Sequence, residues 1–219
     1  MAARENFQAE LVQLKKSLLA FGHASESAAK KAMQALIKQD IESSLEVIEN
    51  DTKINAQEED INDRAIWMIA KQQPVASDLR RIIVAIKIST DLERVGDLAV
   101  NIAKSTIRIG EKPFIKPLKD IPEMGEIAFG MLADGLKAYV EENAELARKL
   151  AETDDQVDMM YGRLIKELLE LASQQPDMMP QITQLSFICR YIERIADHST
   201  NIAENVIYLV KGKHYELND

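Results

Sequence analysis

At 219 residues the chain has room for one large domain or two small ones with a substantial core. Its net charge of −9 excludes nucleic acid as the main ligand, because phosphate backbones need a cationic face. A single cysteine, Cys189, excludes an intrachain disulfide and suits a reducing compartment.

Gly and Pro are scarce, aromatics are few, and Ala, Leu, Ile, Glu and Lys dominate, which points to an all-α protein. The opening "MAARENFQAE" lacks the apolar run of a signal peptide. The longest apolar runs, such as "IIVAI" at 82–86, are too short to span a bilayer, so membrane association is expected only through partners.

The first predicted helix covers about 5–38, with Phe7, Leu11, Leu14, Leu18 and Phe21 at three-four spacing. The second covers about 41–71, and "QQP" at 72–74 stops it. The third follows Pro74 and runs to about Ile109, with Gly110 fitting its C-terminus. The stretch "GEKPFIKPLKDIP", 110–122, holds three of the chain's six prolines and reads as a linker. Three further helices are predicted at about 122–151, 154–173 and 178–211, with a second "QQP" at 174–176.

Helix, helix, QQP, helix thus appears twice. The strongest repeat is "DLERVGDLAVNIA", 91–103, which returns as "YIERIADHSTNIA", 191–203. "DTKIN" at 51–55 aligns less closely with "DDQVD" at 154–158. The features keep one order, so the chain reads as two tandem three-helix bundles from an internal duplication, six long helices in all. The expected boundaries are 1–111 for the first bundle, 112–121 for the linker and 122–219 for the second bundle.

The repeated polar residues carry the chemistry. With about 100° per residue, Asp97 lies about 40° from Glu93 and Asn101 about 80°. Leu92, Val95, Ala99 and Ile102 fall on the opposite side. Glu193, Asp197 and Asn201 repeat the row, opposite Ile188, Ile192, Ile195 and Ile202. The row is therefore expected on an outer or groove-facing side, away from the core. An isolated E-x-x-x-D is ordinarily a solvated face, and two acids at i and i+4 repel. Both copies keep this unfavourable order, and both end in Asn.

Each second helix adds a pair, Asp51 with Asn55 and Asp154 with Asp158. If the second and third helices are antiparallel neighbours, these oxygens converge on the row across one groove. Carboxylate and amide oxygens suit hard cations: iron(III), Mn, Mg or Ca. Zinc prefers His and Cys and is the less apt candidate. The three histidines are not in Glu-x-x-His spacing, and His198 is at most an accessory ligand. Arg94 and Arg194 are candidates to brace the carboxylates, bind a partner or pack between helices. Cys189, in "SFICRYI", reads as a buried thiol. No phosphate loop or nucleophile elbow is present, so no catalytic or cofactor-binding residues are assigned.

The doubled E-R-x-x-D-x-x-x-N-I-A, the QQP turns before it and the tandem three-helix units resemble the PhoU family of phosphate-specific transport regulators over nearly the whole chain. The resemblance implies a cytoplasmic, non-enzymatic protein, often a homodimer. It implies contact with a phosphate ABC transporter, at its ATPase subunit, and with a sensor histidine kinase. It also implies restraint of phosphate uptake and of the starvation response when phosphate is plentiful. In the family the E(D)-x-x-x-D motifs line surface sites for metal ions or clusters, a role that carries onto Glu93, Asp97, Glu193 and Asp197. Asn55 departs from the acid found in many members. A metal-dependent helical-bundle enzyme and a passive helical scaffold are the alternative readings.

Overall fold

A computed structural model describes residues 2–217, and its main elements are six long helices joined by short connections. Helix α1 spans Ala2–Lys38, α2 Ile41–Gln72 and α3 Ala76–Ile109. Helix α4 spans Asp120–Glu141, α5 Ala144–Gln174 and α6 Met179–Lys211. One 3-10 turn, Pro176–Met178, links α5 to α6.

Local chemistry sets the helix ends. Asp40 starts α2 by accepting a hydrogen bond from the Ser43 amide at 2.9 Å. Gln73, with φ of 46°, ends it in the left-handed conformation. Gly110 closes α3 with φ of 69°, and its amide donates to the Thr106 carbonyl at 3.0 Å.

The first three helices and the last lie close to their predicted ranges. The break between α4 and α5 does not. It falls at Glu142–Asn143, not near residues 151–154, so α4 is shorter and α5 longer than expected. The reason is a cap. The Asn143 side-chain oxygen accepts from the amides of Glu145 at 3.1 Å and Leu146 at 3.0 Å, while Glu142 turns left-handed with φ of 48°. With this boundary the duplication is clearer: Asp51 follows the first residue of α2 by ten positions, and Asp154 follows the first residue of α5 by the same ten.

Helices α3 and α6 form the centre. Each is buried around most of its circumference, and they pack against each other. Helices α1 and α2 pack on α3, helices α4 and α5 pack on α6, and α1 also meets α4. All six contribute to one continuous apolar core, with Phe21, Phe129, Ile61, Ile88 and Ile102 fully buried within it. Residues 110–119 join the halves and are tied to both. The Gln39 amide donates to the carbonyls of Gly110 at 2.8 Å and Lys112 at 2.7 Å. Gln181 accepts from the Ile115 amide at 2.7 Å and donates to the Pro113 carbonyl at 3.1 Å.

Asn143 is therefore a stabilising cap at the one boundary that periodicity misplaces. Replacing Asn143 by Ala should destabilise the protein by about 1 kcal/mol, and by Asp much less. Urea unfolding followed by circular dichroism measures this, and an unchanged midpoint in N143A would remove the cap from the account.

Candidate metal centre

The third helix of each half presents its acidic row to the second helix. In the first half, α3 carries Glu93 and Asp97, and α2 carries Asp51 and Asn55. Gly96 sets the approach. A Cβ there would meet Ile54 Cγ2 at 2.9 Å and lie 3.9 Å from Asp51 Oδ1. Lacking one, α3 lets α2 close in until Asp51 and Asp97 feel each other's charge.

The electrostatics follow from that approach. Burial, then the charge of Asp97, raises the Asp51 carboxyl above its ordinary range. Glu93 is raised by burial and by Asp97, with smaller contributions from Glu58 and Asp51, against the opposing pull of Arg94. Arg94 contacts both members of the row, Glu93 at 3.4 Å and Asp97 at 3.0 Å. Asn55 donates weakly to Asp51 Oδ2 at 3.4 Å. Among the described residues, Asp51 Oδ1 and Asn55 Oδ1 are buried without a hydrogen-bond partner. Asn101 continues the row one turn on and is half-buried.

The second half repeats the plan more deeply. Glu193 is only 8% exposed and Asp154 only 2%. The expectation that the α6 row lies away from the core thus fails for Glu193, because α5 packs over the strip of α6 that carries it. Burial first, then Asp197, Asp158 and Asp154, pushes Glu193 up to about 7, with Arg190 opposing. Asp197 is also raised, chiefly by burial. Glu193 Oε1 pairs with Arg190, whereas Glu193 Oε2 is buried without a hydrogen-bond partner among the described residues.

Four of the five expected residues therefore converge in each half. Asn201 does not join them. Its side-chain amide donates to Asp91 Oδ1 on α3 at 3.3 Å, and the same oxygen meets His198 Nδ1 at 3.0 Å. His198 and Asn201 thus tie α6 to the other half. Arg94 braces its row as one sequence reading has it, but in the second half the bracing residue is Arg190, and Arg194 is exposed. Sequence reasoning missed Glu58, Asp91 and Arg190. Glu58 was findable, since it lies two turns from Asp51 on the same face of α2.

As the side chains stand, no group of three or more His, Cys, Asp or Glu among the described residues is placed to hold a metal ion. The donors nonetheless fit a hard cation. They are carboxylate and amide oxygens from two helices, several are buried without hydrogen bonds, and their negative charges oppose one another.

The raised Glu193 has a consequence for metal-free protein. Its folded state favours the protonated acid. That stabilisation is fully present below the ordinary glutamate value of 4.5 and is lost as pH rises through about 7. Glu193→Gln should therefore gain stability over wild type between pH 5 and pH 8, on the order of 1 kcal/mol, in the presence of a chelator. Parallel unfolding midpoints across that range would show that Glu193 ionises without penalty.

The geometry has clear relatives. The PhoU domain family matches residues 18–106 and again 121–206. The phosphate-specific transport system accessory protein PhoU homolog of Clostridium acetobutylicum is 41% identical over 217 residues, covering 99% of both chains. The homolog from Aquifex aeolicus is 40% identical, covering 96% of both. The crystal structure of the phosphate transport system regulatory protein PhoU from Streptococcus pneumoniae superposes with a TM-score of 0.90 at 33% identity, covering 96% of this chain and 99% of that one. PhoU from Pseudomonas aeruginosa superposes with a TM-score of 0.90 at 36% identity, covering 94% and 100%. With two copies of the domain, matched in sequence and in fold, this chain belongs to the PhoU family.

Proposed function

We propose that the protein is a non-enzymatic, cytoplasmic regulator of phosphate uptake and of the phosphate-starvation response. It acts as a homodimer, by contact with the ATPase subunit of a phosphate ABC transporter and with a sensor histidine kinase. The observation that carries this reading is the doubled PhoU domain, in a chain that aligns along its whole length with accessory proteins of phosphate-specific transport.

Further features fit this reading. Cys189 is buried, and burial pushes its thiol up to about 12, far from a nucleophile at neutral pH. No helix among the described residues is long and apolar enough to cross a membrane, and in this reading the protein reaches the membrane by docking on its partners. A net charge of −9 suits salt-sensitive association with basic patches on those partners.

Hard metal ions complete the two clefts in this reading: iron, manganese, magnesium or calcium, with zinc less apt. Glu93, Asp97, Asp51 and Asn55 would hold metal in the first half, with Asn101 at its far end. Glu193, Asp197, Asp154 and Asp158 would hold it in the second, without Asn201, whose amide is engaged by Asp91. A bound cation supplies the positive charge that lets the crowded carboxylates ionise together.

Two measurements test the proposal. Deleting the gene in a host bacterium should release phosphate-starvation genes in phosphate-rich medium, and a wild-type copy should restore repression; normal repression and uptake in the deletion strain would refute the regulatory reading. Glu93→Gln with Asp97→Asn should remove metal from the first half only, with helicity unchanged, and Glu193→Gln with Asp197→Asn should do the same for the second. Metal stoichiometry unchanged in both double variants would remove the rows from metal binding.

A further inference from the structure

Residues 212–217 follow the last helix and belong to no helix or strand, yet they fold back along α6. Gly212 makes the reversal. Its φ is 72°, and a Cβ there would meet both terminal nitrogens of Arg80 at 2.8 Å. Arg80, on α3, also donates to the Leu209 carbonyl at 3.4 Å. The His214 ring then stacks on Tyr208, with centroids 4.0 Å apart and planes 8° from parallel. Arg80 and Lys87, both on α3, stand over the same Tyr208 ring at 5.4 Å and 5.9 Å. Arg148 of α5 stands over the Tyr215 ring at 5.7 Å. Leu217 packs its side chain against the core and donates its amide to Glu204 Oε1 at 2.8 Å.

The segment thus bridges the two halves at the seam of α3 and α6. His214 forms one wall of a groove of about 400 Å³, whose other walls include Lys87 and Asp91 of α3 and Asn201 and Glu204 of α6. Asp91 is the residue that receives His198 and Asn201 from the other half. The fastening is nonetheless light. Residues 213–216 are exposed. Among the described residues, the segment's backbone donates two hydrogen bonds, from Gly212 to the Tyr208 carbonyl at 2.9 Å and from Leu217 to Glu204. A segment held by ring contacts and so few backbone bonds opens locally, far below the cost of unfolding the bundle.

We propose that residues 212–217 are a releasable strap that locks α6 to α3. Closed, it holds the halves as one body and shelters the Asp91 junction. Open, it frees the start of α3 and the end of α6 to separate. The device depends neither on metal nor on which partner the protein meets.

Hydrogen exchange on the full chain tests this. The Leu217 amide, followed by NMR, should be protected on the order of 10- to 1,000-fold over an unstructured peptide, and less than the core amides of α3. His214→Ala changes an exposed residue and keeps Gly212. It should speed exchange about threefold or more at the Leu217 amide and over residues 80–91, with α4 unchanged. His214→Phe, which keeps a ring, should restore the wild-type rates. A chain ended at Lys211 retains all six helices, confirmed by circular dichroism, and should exchange faster still over 80–91. Unchanged exchange over 80–91 in that chain would overturn the locking role. In wild type, a Leu217 amide exchanging like a free peptide's would overturn the closed strap, and one protected as strongly as the core would overturn its release.

Discussion

The packing of α3 against α6 is the constraint on which the other features depend. Both helices are buried around most of their circumference, so their sequences must be apolar or small nearly all the way round. The strip left for polar side chains is narrow. It faces α2 in one half and α5 in the other. Glu93 and Asp97, or Glu193 and Asp197, can occupy that strip only by standing under a neighbouring helix, where water is partly excluded. Their desolvation is a direct result of the central pair's burial.

The outcome is a local conflict with stability. Like charges at i and i+4 repel, and burial adds to the cost of ionising them. A helix surface serving only the fold would place a cation in the row. Here Arg94 and Arg190 offset the conflict in part, each at the cleft's edge. Local rules broken in parallel in two copies, within an otherwise consistent bundle, are the pattern expected of a functional site.

The halves are alike in plan and unlike in detail. Gly96 brings α2 close in the first half, and Ala196 occupies the matching position in the second. His198 reaches across to Asp91, whereas the matching positions hold Leu98 and Tyr191. The cross-half polar contact is thus one-sided, joining the row of α6 to the start of the row on α3. Gln39 and Gln181 similarly tie the connecting segment to α1 and α6, so the halves are joined by side-chain hydrogen bonds as well as by core.

Periodicity and punctuation in the sequence determined the all-α class, the duplication, the QQP turns and most helix ends, because these depend on interactions within a few residues. The α4–α5 break escaped because an Asn cap leaves the apolar spacing almost undisturbed. The E-x-x-x-D rows and their partners on α2 and α5 were legible, since helical geometry alone places i and i+4 on one face. Tertiary structure alone decided how deeply each row is buried, that Arg190 and not Arg194 braces the second row, and that Asn201 turns to Asp91. These outcomes depend on which helix covers which strip and at what separation. That is set by packing between residues a hundred positions apart, which no local pattern in the chain encodes.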